Sequence, residues 1–181
     1  MHPIVSRALF WPTFTWNAML GRILKRRRWW DRIDDHILLG AMPMRSDVAR
    51  LATEGVTAVV NMCKEYPGPL DLYEKYGIEQ LWLPTVDFNP PSLADVEKGV
   101  QFIHQKIASG GSIYIHCKAG RARSATVLLC YMVKYQDLSP SEAQARLLHR
   151  RPHVHPKLTE RKVVHEFVHA NMARVVPSQL L

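Results

Sequence analysis

One short stretch of the sequence combines a cysteine and an arginine in a spacing that suits phosphate chemistry. The run 112–116 is rich in β-branched and aromatic residues, Cys117 follows it directly, and Arg123 comes six residues later, where an apolar helical pattern begins. A loop that leads into a helix N-terminus can direct several backbone N–H groups and the helix dipole at one anion. The pattern therefore predicts a phosphate-binding loop with a nucleophile at its base. The alternative, a buried structural cysteine, leaves the loop unexplained.

The side chains of this loop suit the same chemistry. Arg123 can offer a planar pair of N–H donors to two phosphate oxygens. Because a cation and a helix N-terminus lower the pKa of a cysteine, Cys117 is predicted to be a thiolate. Gly120 suits a bend that a side chain would obstruct, Ser124 can donate to the thiolate and help it leave, and His116 can orient the loop. The residues predicted to bind phosphate are Lys118, Ala119, Gly120, Arg121, Ala122 and Arg123.

A cysteine nucleophile also needs an acid, because an alkoxide or phenoxide leaves slowly unless it is protonated as its bond to phosphorus breaks. Asp87 is the best candidate, since it lies in a proline-rich loop after a predicted strand, and such loops can close over a substrate. Two alternatives stay open. Asp87 could be a turn residue that bonds its own backbone. Asp95 is a second candidate acid, although its position three residues after Ser92 favours the first turn of a helix.

The sequence from His116 to Ser124, His-Cys-Lys-Ala-Gly-Arg-Ala-Arg-Ser, resembles the phosphate-binding loop of the cysteine-based dual-specificity phosphatases. Other stretches are similar to the mitochondrial phosphatidylglycerophosphate phosphatase family, also called the mitochondrial protein-tyrosine phosphatase. The resemblance runs from about Arg7 to about Phe167. It implies a protein-tyrosine-phosphatase-like fold and the acid role for Asp87. The stretches that carry it are 30–34, 38–46, 77–81, 85–87 and 151–153.

One stretch departs from that family. Residues 63–67 are Cys-Lys-Glu-Tyr-Pro, where the family is expected to carry an acidic Asn-Glu-Glu-Tyr-Glu sequence. Glu65 and Tyr66 keep the pattern, whereas Lys64 and Pro67 replace acidic residues.

The predicted reaction has two steps and uses no metal or cofactor. The thiolate of Cys117 attacks phosphorus in line, the loop amides and Arg123 hold the phosphoryl oxygens, and Asp87 protonates the departing oxygen. Water then hydrolyses the phosphocysteine, with Asp87 acting as the base. His153 and His155 have a spacing that occurs in metal sites, but no carboxylate or cysteine cluster accompanies them, so we predict no metal site.

The loop also carries two further cations, Lys118 and Arg121. In this it resembles the phosphoinositide phosphatases of the superfamily, whose loops are expected to carry basic residues at these positions. This charge suits a headgroup with more than one anionic site, so a lipid phosphomonoester such as phosphatidylglycerophosphate is the first choice of substrate. The alternative is that both side chains point to solvent. A protein phosphatase acting on phosphotyrosine or phosphoserine/threonine is the rival enzyme, and a non-catalytic phosphate-binding module is the third possibility.

The segment 1–30 differs from the rest of the chain. Residues 1–28 contain basic but no acidic residues, interleaved with aromatic and aliphatic ones. This composition predicts an organellar targeting peptide or an interfacial anchor on anionic lipid. Because Arg7, Pro12 and Asn17 interrupt the apolar run, we expect peripheral membrane contact and no spanning helix. A disordered tail or a cap packed on the domain is the alternative.

Together with the resemblance, the basic leader indicates a mitochondrial protein associated with the inner membrane. A cytoplasmic location, or a bacterial one at the plasma membrane, also fits. The formal net charge of +8 favours an anionic partner, either an anionic phospholipid or a phosphorylated protein. No nucleic-acid-binding module is present in the sequence, so no nucleic-acid partner is expected.

The length of 181 residues, 47% of them hydrophobic, suits a single well-buried core. We predict one α/β phosphatase domain at 31–173, with a mostly parallel sheet flanked by helices, and a short tail at 174–181. Three cysteines without a pairing pattern indicate reduced thiols. Cys63 and Cys130 are expected to be packed side chains, with Cys63 as a resolving thiol for Cys117 the alternative. Strands are predicted near 36–39, 57–62, 78–83 and 112–116, and helices near 47–54, 93–108, 122–135, 140–150 and 158–173.

Overall fold

The computed structural model describes residues 3–24 and 27–172 and contains a five-stranded sheet with helices on both faces. The strand order is β1-β2-β5-β3-β4, with β1 antiparallel to β2 and every other neighbouring pair parallel. The predicted α/β class with a mostly parallel sheet is therefore confirmed. The strands are β1 (Trp30–Arg32), β2 (Ile37–Gly40), β3 (Val56–Cys63), β4 (Glu79–Thr85) and β5 (Ser112–His116).

Helices precede, connect and follow the strands, and polar side chains cap two of them. The side chain of Ser92 accepts from the backbone N–H of Asp95, and Ser139 and Glu142 form a complete capping box. A π-helical turn at Met19–Ile23 follows the first helix. The helices are α1 (Pro3–Ala18), α2 (Val48–Thr53), α3 (Leu70–Lys75), α4 (Leu93–Ala108), α5 (Arg123–Tyr135), α6 (Pro140–Arg150) and α7 (Lys162–Met172).

Alternate residues of the central strands face two separate apolar clusters. Ile113 and Ile115 of β5 pack in the larger cluster, which is filled by residues of α4, α5, α6 and α7. Tyr114 points to the other face, where α2 and α3 contribute Leu51 and Tyr73. Because both faces of the sheet are covered, the central strands are apolar along nearly their whole length. The carboxyl end of β5 is thereby held in the middle of a rigid layer.

Three elements differ from the sequence prediction. The last helix begins at Lys162 and not near residue 158, and position 173 lies outside the described residues. The short helix α3 and the short strand β1 were not predicted. With six residues in α3 and three in β1, these elements are too short to show a clear hydrophobic period in the sequence.

The N-terminal helix α1 lies against the domain. Phe10 and Phe14 are buried in the larger apolar cluster, while Trp11 and Trp16 are more than half exposed. The structure therefore agrees with the alternative of a cap packed on the domain. Within the ranges 3–24 and 27–172, no helix combines the length and the apolar character needed to cross a membrane.

Candidate active site

The loop 117–122 joins the end of β5 to the start of α5, as the sequence predicted. Gly120 has a φ of 63°, and a Cβ at this position would lie 2.3 Å from the backbone of Gly40 on β2. No residue with a side chain fits this approach without moving one of the two backbones. The preceding His116 is buried and stacks on Tyr114, with ring centroids 5.5 Å apart. Burial, followed by the charge of Arg123, lowers the pKa of His116 to about 3, so its ring is neutral.

Cys117 lies at the base of this loop and is 4% exposed. Ser124 Oγ donates to its sulfur over 3.3 Å, and the backbone N–H groups of Ser124 and Arg121 also point at it. Burial alone would raise the pKa of Cys117. The charge of Arg123 and these hydrogen bonds outweigh burial and lower the pKa to about 6. The sulfur is therefore mostly a thiolate at neutral pH.

Arg123, the first residue of α5, is held in place by backbone carbonyls and carboxylates. Its Nη1 donates to Thr85 O at 2.7 Å and to Met62 O at 3.3 Å, at the ends of β4 and β3. Its Nη2 donates to Asp87 Oδ1 at 2.7 Å, and Glu65 Oε2 lies 3.8 Å from Nη1. The guanidinium is thus fixed beside the sulfur, and any phosphate that binds it must displace the Asp87 contact.

Asp87 is buried and bridges two cations of the loop. Its second carboxylate oxygen, Oδ2, accepts from Lys118 Nζ in a close ion pair. The backbone N–H of Asp87 donates to Glu65 Oε1 at 3.2 Å. The next residue, Phe88, has a φ of 65°, in the left-handed region that residues with a side chain rarely adopt. The loop that carries Asp87 is therefore folded over the loop 117–122.

The remaining loop residues are two cations and two alanines. Lys118 is buried between α1 and the Asp87 loop, donating to Thr13 Oγ1 at 2.7 Å, so it does not point to solvent. Arg121 is exposed, although its Nε donates to His153 O at 2.8 Å. Ala119 and Ala122 have no polar side chain, and a ligand would meet their backbone. The carbonyl of Ala122 accepts from Thr126 in the first turn of α5.

A cavity of about 550 Å³ opens above the sulfur. Its floor carries the cations of the loop, and Arg27 and Arg161 also line it. Trp16, Leu20 and Phe88 form an apolar rim on the side of α1 and of the Asp87 loop. The cavity is therefore amphipathic, with a cationic floor beside an apolar rim.

The sequence of the domain matches a known family. The family described as "Dual specificity phosphatase, catalytic domain" matches residues 37–169, well over half of the chain. This chain belongs to the dual specificity phosphatase family. It is a cysteine-dependent phosphatase, as the geometry around Cys117 also indicates.

Two relatives of the phosphatase align with nearly all of it. Phosphatidylglycerophosphate phosphatase PTPMT2 of Arabidopsis thaliana is 40% identical over 165 residues, covering 90% of this chain and 72% of the relative. Phosphatidylglycerophosphatase and protein-tyrosine phosphatase 1 of Mus musculus is 38% identical over 172 residues, covering 90% of this chain and 89% of the relative. The resemblance inferred from the sequence is confirmed.

A solved structure shows the same fold. The crystal structure of PTPMT1 in complex with PI(5)P superimposes with a TM-score of 0.74 and is 37% identical. It covers 82% of this chain, and 99% of that chain is matched. The predicted protein-tyrosine-phosphatase-like fold is therefore confirmed.

The structure of the phosphatase also adds residues that the sequence did not assign to the site. Glu65 contacts both Arg123 and the backbone of Asp87, and Thr13 contacts Lys118 from α1. Glu65 could have been found, because it is one of the two positions in 63–67 that keep the family pattern. Thr13 and Arg161 carry no local signal, since only the tertiary fold brings them to the cavity.

A buried arginine supports the loop from behind. Arg151 is 1% exposed and pairs with Asp31, with Nη1 and Oδ2 2.5 Å apart. Its Nε donates to Gly120 O at 2.9 Å and its Nη2 to Ala119 O at 3.1 Å. The loop carbonyls are thereby turned toward Arg151, which leaves the loop N–H groups free to face the cavity.

The other predicted residues have no position in the catalytic geometry. Burial, and then the charges of Arg151, Arg27 and Arg121, lower the pKa of His153 to about 3. Within the described part of the chain, no group of three or more histidine, cysteine or acidic side chains could hold a metal ion. Asp95 lies in the first turn of α4, as expected. Cys63 and Cys130 are buried free thiols, and the resolving role considered for Cys63 stays a hypothesis.

Proposed function

We propose that this phosphatase hydrolyses a phospholipid phosphomonoester, phosphatidylglycerophosphate being the first candidate. The observation that carries the proposal is the amphipathic cavity, because its cationic floor suits a phosphate and its apolar rim suits the lipid part of the same molecule. The relatives from Arabidopsis thaliana and Mus musculus, both named as phosphatidylglycerophosphate phosphatases, support this choice.

The proposed chemistry uses the residues gathered around the loop. Cys117 is the nucleophile that attacks phosphorus, and Arg123 binds two of the phosphoryl oxygens after they displace Asp87 Oδ1. Asp87 then protonates the leaving oxygen, Ser124 stabilises the sulfur as it leaves in the second step, and water hydrolyses the phosphocysteine.

Backbone groups complete the proposed phosphate site. The N–H groups of the loop from Lys118 to Ala122 lie at the N-terminus of α5, where they and the helix dipole favour a negative charge. Lys118 holds the second oxygen of Asp87 and keeps it close to the leaving group. His116 stays neutral and buried, so its contribution is to the position of the loop.

A comparison of two substrates tests the choice of substrate. The ratio kcat/KM is measured on phosphatidylglycerophosphate in vesicles and on a phosphotyrosyl peptide, with Cys117→Ser as the inactive control. A clear preference for the lipid supports the proposal. A preference for the peptide would assign the enzyme to the protein phosphatases instead.

We also propose that the segment 1–30 brings the site to a membrane surface, as a peripheral contact of a mitochondrial inner-membrane-associated enzyme. Trp16 and Phe88 of the apolar rim are 59% and 56% exposed, and aromatic side chains of this kind favour the headgroup region. Arg27, beside the rim, can attract anionic lipid.

Co-sedimentation with anionic vesicles tests the membrane contact. Trp16→Ser should bind vesicles more weakly than the wild type, and Leu70→Ser is the matched control because Leu70 is 54% exposed on α3, away from the cavity. Equal vesicle binding by both variants would contradict the proposal. Fractionation of cells or organelles then tests the location. Recovery of the protein only in the soluble fraction, before any salt wash of the membranes, would argue against membrane association.

A further inference from the structure

Arg161 is a half-buried arginine in the wall of the cavity that has no acidic partner in the described structure. The two most buried arginines, Arg123 and Arg151, each pair with a carboxylate. The guanidinium of Arg161, in contrast, makes no hydrogen bond or salt bridge with a described residue. Its neighbour Glu160 pairs with Lys157 instead, at 3.1 Å. A half-buried cation without a counter-ion is costly, so an anion from outside the protein suits this position.

The position of Arg161 relative to the sulfur supports this view. Burial lowers the pKa of Arg161, and the negative charge of Cys117 acts in the opposite direction. Both groups line the same cavity. His155 lines the same wall of the cavity as Arg161 and Arg121. Burial, and then the charges of these two arginines, lower the pKa of His155, so the wall carries two cations and a neutral imidazole.

The phosphate-binding loop does not need Arg161 for the reacting phosphate. Asp87 holds Arg123 and Lys118 beside the site of that phosphate. The loop N–H groups and the N-terminus of α5 supply further groups that favour an anion there. Arg161 comes from a different part of the chain, immediately before α7. The cavity of about 550 Å³ has room for a headgroup much larger than one phosphate.

We propose that Arg161 binds a second anionic group of the substrate, the phosphodiester of the headgroup, while the loop from Cys117 to Arg123 holds the phosphomonoester. This inference rests on the proposed function, since phosphatidylglycerophosphate carries one group of each kind. Arg161 is then a specificity-determining residue that separates two-phosphate headgroups from simple phosphomonoesters. Its planar fork suits two oxygens of a phosphodiester in a way that a lysine does not reproduce.

The test uses two soluble substrates, so that vesicle binding does not enter. One is glycerophosphoglycerophosphate, the deacylated headgroup with a phosphomonoester and a phosphodiester, and the other is p-nitrophenyl phosphate, which has only the phosphomonoester. For Arg161→Gln, kcat/KM on the headgroup should fall roughly tenfold or more relative to kcat/KM on the aryl phosphate, mainly through KM. Arg161→Lys should lose part of this selectivity. Arg150→Gln, an exposed arginine at the end of α6, is the control that removes the same charge elsewhere.

The outcomes separate this inference from the proposed function. An equal loss on both substrates, or no loss on either, would overturn the role of Arg161 even if the wild type prefers the lipid. A wild type that prefers a phosphotyrosyl peptide to the lipid would overturn the proposed function. If Arg161→Gln folds poorly, the substrate ratio of Arg161→Lys decides the question, and an unchanged ratio there would overturn the inference.

Discussion

The reactivity of a single sulfur is set by groups that come from two ends of one loop. Cys117 ends the strand side, and Ser124 and Arg123 begin the helix side, so the loop brings the sulfur into contact with a hydroxyl, two N–H groups and a guanidinium. These groups favour the thiolate more than burial disfavours it. Cys130 has no such neighbours, and burial raises its pKa to about 12.

Alkylation of Cys117 by iodoacetamide should therefore rise with pH through a midpoint near 6 and level off above it, because only the thiolate reacts and its pKa is about 6. Ser124→Ala should move the midpoint upward, since the hydrogen bond to the thiolate is lost. Mass spectrometry of the modified peptide gives the rates, with Cys63 and Cys130 as internal controls that stay unmodified. A midpoint near 8.5, the ordinary value, would contradict the assignment.

The carboxylate of Asp87 has two opposing effects on catalysis. It is the proposed acid, and it also occupies the guanidinium of Arg123 before substrate arrives. Asp87→Asn should lower kcat on an alkyl phosphate by roughly 10²–10⁴-fold. It should also bind inorganic phosphate more tightly, because the competing negative charge is gone.

The control for this prediction is Asp95→Asn, since Asp95 was the second candidate acid and caps α4 with Ser92. The kcat of the Asp95→Asn variant should stay near the wild-type value. An unchanged kcat for Asp87→Asn on a substrate with a poor leaving group would remove Asp87 from the mechanism.

The residues of the site could be predicted from the sequence where they are adjacent in it. Residues 116–124 share one loop, so their types and spacing predicted their arrangement. Glu65, Thr13 and Arg161 come from three other parts of the chain, and their contacts with this loop depend on how the helices pack. Lys118 shows the limit most clearly, because its side chain is buried by α1 and Asp87 and not by anything in its own loop.

At the level of elements, the loop is held between β2 in front and Arg151 behind. On one side, the backbone of Gly120 packs closely against Gly40 of β2. On the other side, Arg151 donates hydrogen bonds to the carbonyls of Ala119 and Gly120. The ion pair of Arg151 with Asp31 links this support to β1. A fully buried pair is costly to break, because the remaining charge is left without a partner.

Arg151→Met should therefore lower the free energy of unfolding by about 3–5 kcal/mol, measured by urea denaturation. Arg45→Met is the matched control. Arg45 and Asp71 lie 2.6 Å apart with side chains 64% and 62% exposed, so solvent screens their attraction and the loss of the pair should change the free energy of unfolding much less. Similar losses for the two variants would show that the buried pair does not support the loop as described.

Elements with strong local signals were predicted almost residue for residue. α4 and α6 have serine caps and long amphipathic patterns, and the observed bounds equal the predicted ones. α7 begins later than predicted, because its periodic pattern extends into the irregular segment before Lys162. For α1 the sequence indicated a basic aromatic segment but not the surface it packs on, since the surface that buries Phe10 and Phe14 is assembled from distant strands and helices.

For the whole molecule, α1 contributes to the core, to the surroundings of the loop 117–122 and to the apolar rim of the cavity. Phe10 and Phe14 fill the larger cluster, Thr13 contacts Lys118, and Trp16 lies at the mouth of the cavity. The same turns of the helix therefore pack on the core and contact the site. We therefore expect release of α1 to remove Trp16 from the apolar rim of the cavity, while Phe88 stays in place on the Asp87 loop.

The double variant Phe10→Ser/Phe14→Ser should release α1, because two buried aromatic side chains hold it and serine removes most of their apolar area. Hydrolysis of phosphatidylglycerophosphate in vesicles should fall by roughly tenfold, the effect of about 1.4 kcal/mol, and p-nitrophenyl phosphate hydrolysis should fall less. Limited proteolysis should cut within 3–24 while the domain stays intact. Phe102→Ser, on α4, is the control for a general loss of packing. An equal loss on both substrates would mean that α1 stabilises the domain without shaping the lipid site.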